Sequence, residues 1–116
     1  MIAAALALWL ADQAAADTKA APMKCEIGGI DRRFGSTEWI VYACDDGGSF
    51  VVVSKPGNPA SPFYFIISRK PDGYGISGEG SGSKTASAAA RDELAALGNE
   101  GLAALNAAAR RQERDK

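Results

Sequence analysis

The 116-residue chain contains no histidine. That absence excludes every Ser-His-Asp and Cys-His mechanism and every imidazole-metal site, and it removes the side chain that most readily titrates near neutral pH. Cysteine is nearly absent too, with two residues at Cys25 and Cys44, and they lack the paired C-x-x-C spacing of zinc and redox sites. No charge sign dominates: 13 Lys+Arg stand against 14 Asp+Glu for a formal charge of −1, which removes the electrostatic basis for nucleic-acid binding. No apolar run reaches the roughly 20 residues needed to span a bilayer, so no stable membrane span is expected once the N-terminal segment is removed.

What is present begins with compartment. Ile2 to Ala11 is an unbroken apolar run, followed by Asp12-Gln13 and then Ala14-Ala15-Ala16. This is the order of a secretory signal peptide, an apolar h-region and a small-residue A-x-A site, predicting residues 1–16 as the signal and cleavage after Ala16. The n-region is Met1 alone, without Lys or Arg; a short buried N-terminal helix is the alternative reading of the run. Cleavage there leaves a flexible leader over 17–22, a domain over 23–113 and a frayed tail at 114–116, in a periplasmic or secreted setting. In such an oxidising compartment Cys25 and Cys44 are expected to form one disulfide.

The domain reads as strands first and helices last. Met23–Ile30, weakened by Gly28-Gly29, is a possible first strand, and Arg32-Arg33 with Gly35-Ser36 reads as a turn. Thr37–Cys44, Ser49–Ser54 and Phe63–Arg69 are rich in β-branched and aromatic residues. Asp45-Asp46-Gly47-Gly48 is a hairpin signal between the first two. Lys55 to Pro62 holds three prolines and can be neither helix nor central strand. Tyr74–Ser77 is a short strand, and Gly78 to Ser83 reads as a flexible connector. From Lys84 the period changes. Ala86, Ala90, Leu94 and Leu97 make one helical stripe, Gly98-Asn99 a stop and restart, and Leu102, Leu105 and Ala109 a second stripe, with a single kinked helix as the alternative. The charged end from Arg110 to Lys116 is expected to fray. Together these predict an α+β fold: an antiparallel β-meander of about four strands, followed by one or two C-terminal helices packed on one sheet face.

The strands are apolar on both alternating sets. Trp39, Val41 and Ala43 oppose Ile40, Tyr42 and Cys44, and Phe63, Phe65 and Ile67 oppose Tyr64 and Ile66. Helices cover one face, so the second must be covered internally, close into a barrel, dimerise or stay exposed as a binding surface. Trp39, Tyr42 and Tyr64, of residue types enriched in interface cores, are the candidate partner-binding residues. The partner would be another envelope protein or a second copy.

Other strings carry less. Gly78 to Thr85 (GEGSGSKT) departs from the phosphate-binding G-x-x-x-x-G-K-[ST] pattern at Ser83, where a side chain stands in the way of close backbone approach to phosphate. No nucleotide is expected, and Lys84 and Thr85 are left as a possible weak anion site at a helix start. Gly73, Gly75 and Gly78 match G-x-G-x-x-G without the βαβ unit that motif requires. Ser81 to Lys84 matches S-x-x-K without its companion motifs. Asp45 and Asp46 are turn neighbours that point apart, so they do not form a facing catalytic acid pair. No catalytic residue, metal or cofactor is assigned, and the reading is a binding or inhibitor-type module. A structural envelope protein, or an enzyme using Ser, Lys and Asp in an unseen cleft, are the alternatives.

Tyr42-x-Cys44-Asp45-x-Gly47 with Phe50-x-Val52 resembles the Tyr-x-Cys hairpin of periplasmic C-type lysozyme inhibitors. That resemblance implies a small disulfide-bonded β-barrel. It spans Tyr42 to Val52, and the helical C-terminal third departs from the family pattern.

Overall fold

A computed structural model describes residues 23–115. The signal-peptide and leader assignments, over 1–16 and 17–22, lie outside the described residues. Five strands, β1 (Ile27–Phe34), β2 (Thr37–Ala43), β3 (Phe50–Ser54), β4 (Phe63–Lys70) and β5 (Gly73–Gly80), form one antiparallel sheet in the order β1-β2-β3-β4-β5. Two helices follow, α1 (Lys84–Ala96) and α2 (Gly98–Arg114). The fold is the α+β meander with C-terminal helices, with one strand more than the sequence indicates. β1 and β5 are both edges; the sheet does not close into the barrel that the hairpin resemblance implies.

Local chemistry explains each turn. Gly35 and Ser36 both hold positive φ, 60° and 65°, which gives the two-residue connection of a primed hairpin turn between Phe34 and Thr37. Arg32 and Arg33 are thus strand residues rather than part of the turn. Between β2 and β3 the Asp46 carboxylate accepts hydrogen bonds from the N–H groups of Gly48 (3.0 Å) and Ser49 (2.8 Å). The disulfide joins Cys25 to Cys44 at the foot of this hairpin. Beside it, the Asp45 N–H donates to the Lys24 carbonyl and the Lys24 N–H donates to the Asp45 carboxylate. The segment before β1 is therefore held to the hairpin by one covalent bond and two hydrogen bonds.

The inner sheet face is the core. Trp39, Val41, Phe50, Val52, Phe65 and Ile67 are buried against Ala90 and Leu94 of α1 and Leu102, Leu105 and Ala109 of α2. Alanines at the contact let a helix approach closely. At Gly28 a β-carbon would collide with the backbone of Ala109, and Gly28-Gly29 forms a bulge with φ of 93° and 86°. The glycine pair that weakens the strand pattern is thus where α2 meets the sheet.

Three sequence expectations change. Gly78–Gly80 belong to β5 and pair with Phe63–Phe65, so they are not a flexible connector. A β-carbon at Gly78 would press on the rings of Phe63 and Phe65, so glycine here makes room for aromatic neighbours. Leu97, expected on the first buried stripe, is 38% exposed because α1 ends before it and the chain turns at Gly98 (φ 68°). The charged terminus stays helical to Arg114, because Arg110 donates to the Cys44 carbonyl (2.9 Å) and Glu113 accepts from the Gly28 N–H (2.9 Å).

Candidate functional site: the outer sheet face and its groove

The strand register sets what the opposite face presents. Ile40, Val53 and Tyr64 stand side by side on β2, β3 and β4, and Tyr42, Val51 and Ile66 form the adjacent row. Because side chains alternate between faces, all six lie opposite the core. Five of them are half-buried and Tyr64 is 38% exposed. No helix lies over this block among the described residues, since α1 and α2 both pack against the inner face. The first row ends in a carboxylate at each side, Asp31 on β1 and Glu79 on β5. Lys55 pairs with Asp31 (3.3 Å) and Glu38 (3.9 Å), which offsets part of the carboxylate charge on the β1 side of the face.

The β5 side differs. Tyr64 donates its hydroxyl to a Glu79 carboxylate oxygen at 2.8 Å. That bond, with the negative charge behind it, raises the Tyr64 hydroxyl above its ordinary value, because ionisation would lose the donor and set two anions together. Beside the pair lies an open groove of about 570 Å³ lined by Val53, Ser54, Ser61, Pro62, Phe63, Tyr64, Glu79, Gly80 and Ser81. Its end is shaped by the exit of the proline loop, where the Ser81 N–H donates to the Pro62 carbonyl and the Phe63 N–H donates to the Ser54 hydroxyl. A smaller depression of about 240 Å³, lined by Tyr64, Ile66, Ser77, Gly78 and Glu79, also borders the Tyr64–Glu79 pair.

The residues singled out from sequence separate. Tyr42 and Tyr64 are on the outer face, and the Tyr42 ring lies over Gly29. Trp39 is not: it is fully buried, its indole N–H donates to Thr37 Oγ1 (2.8 Å) and the Phe34 carbonyl (3.2 Å), and its ring packs on Phe63 and Phe65. It cannot touch a partner, because its strand parity places it inside. Lys84 and Thr85 are exposed in the first turn of α1, where the Ser83 hydroxyl already accepts the Ala86 N–H as the helix cap. Ser83 and Lys84 do not line the groove. Asp45 and Asp46 serve the hairpin, and no group of three or more metal-binding side chains occurs among the described residues. Glu79 and the groove were missed from sequence because GEGSGS has the composition of a linker. The signal that could reveal them is the alternation Gly78-Glu79-Gly80, with one large side chain between two glycines.

No family model matches this chain, and neither a curated protein nor a solved structure is detectably similar to it.

Proposed function

We propose that this is an exported, disulfide-bonded binding module without catalytic activity, and that it engages a protein partner of the cell envelope through its outer sheet face. The observation that carries the reading is the block of Ile40, Tyr42, Val51, Val53, Tyr64 and Ile66, six apolar or aromatic side chains, five half-buried and Tyr64 exposed, that face away from the core with no helix over them among the described residues. Contiguous exposed apolar surface is rare on monomers and marks interaction sites. The Cys25–Cys44 bond supports an oxidising compartment, and the signal-like N-terminus supports export.

The test uses protein recovered from the exported fraction. Intact mass should give a chain that begins at Asp17 and is lighter by two hydrogens than its reduced form. Immobilised wild type and an Ala103→Glu control on the helix surface should capture the same saturable envelope component, whereas Val51→Glu and Ile66→Glu should lose it at unchanged melting temperature. Capture that survives both face substitutions overturns the reading. A wild type that is dimeric alone, and monomeric with Ile66→Glu, makes the partner a second copy.

A further inference from the structure

We infer that the groove beside Tyr64 and Glu79 is a site for an organic cation with an apolar body, such as an alkylammonium compound. This goes beyond the protein-partner reading, because it concerns the β5 end of the face and a ligand of small-molecule size. The groove volume, about 570 Å³, falls in the range of small-molecule pockets. Its lining is dominated by Val53, Pro62, Phe63 and Tyr64, which would cover a hydrocarbon chain.

Charge then selects the head group. Among the described residues Glu79 is the one carboxylate lining the groove, and no cationic side chain lines it. Lys55, close in sequence to the groove wall, is held across the face by Asp31 and Glu38. Among the described residues Glu79 takes part in no ion pair, and one of its carboxylate oxygens is engaged by the Tyr64 hydroxyl. That bond fixes the carboxylate beside the Tyr64 ring, while Phe63 contributes to the groove wall with its ring turned to the core side. A carboxylate next to an aromatic ring suits an ammonium group, by Coulomb attraction together with attraction of the cation to the ring. An anionic head would be repelled by the Glu79 charge with no cation in the described groove lining to offset it, and a neutral hydroxyl would gain a hydrogen bond without the Coulomb attraction.

The experiment compares three probes of one chain length, hexyltrimethylammonium, hexanol and hexanesulfonate, titrated into the isotopically labelled full chain with its disulfide intact. The expected result is saturable shifts of the Tyr64, Glu79 and Gly80 amides with hexyltrimethylammonium, at least tenfold weaker binding of hexanol, and none of hexanesulfonate. Glu79→Gln, exposed and isosteric, should weaken the cation at least tenfold while leaving hexanol unchanged. Tyr64→Leu should weaken the cation several-fold. Equal affinity for all three probes, or cation binding that Glu79→Gln does not alter, overturns the inference while leaving the protein-partner reading standing. Absence of shifts in the groove with any probe also overturns it. Loss of envelope capture in Val51→Glu and Ile66→Glu is read independently, since neither substitution alters Glu79.

Discussion

Asp46 is a single exposed carboxylate that organises a turn, and its acidity is readable from its contacts. Partial burial acts to raise its pKa. The bonds from the Ser49 hydroxyl and the Ser49 and Gly48 N–H groups, with the Arg110 charge, outweigh that and hold it below the ordinary 3.8. A depressed folded pKa means that its stabilisation is present above the unfolded value and is lost as pH falls through the lower folded one. Urea unfolding from pH 7 down into the acid range should therefore show a loss of stability below about pH 4 that is shallower in Asp46→Asn, and Asp46→Ala should cost about 1 kcal/mol at pH 7. The role of Asp46 is visible in the sequence, because D-D-G-G announces a hairpin. The fate of Trp39 is not: the β2 pattern is apolar on both sides, so composition alone could not say which of Trp39 and Tyr42 faces inward. The helices decide it by covering the Trp39 side.

Among the elements, the open sheet has two edges, and charged side chains occupy both. On β1, Glu113 accepts the Gly28 N–H and the Arg32 guanidinium takes the Asp31 carbonyl, while Glu93 accepts the Gly35 N–H at the adjoining turn. On β5, Arg91 donates to the Ile76 carbonyl at 3.1 Å. Arg91 and Glu93 are two residues apart, so one turn of α1 ties β5 to the β1–β2 turn. Exposed backbone edges are templates for pairing with other chains, and charges placed there block it. Arg91→Ala combined with Glu93→Ala should leave the far-ultraviolet circular dichroism unchanged while raising light scattering and thioflavin binding on incubation at high concentration. The single variants should show less. These caps are invisible in sequence, where Arg91, Asp92 and Glu93 read simply as a solvated helix face, whereas the central strands and the second helical stripe are legible from periodicity. Leu102, Leu105 and Ala109 are all buried. The end of β5 was not legible, because its glycines are there to fit Phe63 and Phe65, and that is a tertiary reason.

For the whole molecule, the fold class and the cysteine pairing were legible, and the groove was not, since it is built from the ends of three strands and a proline loop. The Cys25–Cys44 bond closes a separation of 19 residues. Loop-closure entropy for that length is about 3 kcal/mol, a large share of a small domain's stability. Cys25→Ser with Cys44→Ser should lower the urea midpoint accordingly, with the wild-type protein in reductant showing the same shift. The order of elements along the chain has a temporal consequence. Each strand pairs with its sequence neighbour, so the sheet can zip up hairpin by hairpin with short loops to close. Both cysteines lie in the first 44 residues, so the crosslink needs only β1 and β2 in place. The cover for the core is encoded last. During synthesis from the N-terminus, Trp39, Phe50 and Phe65 therefore wait on a bare sheet until Leu94, Leu102 and Leu105 emerge. That interval is when the apolar core face has no cover from its helices.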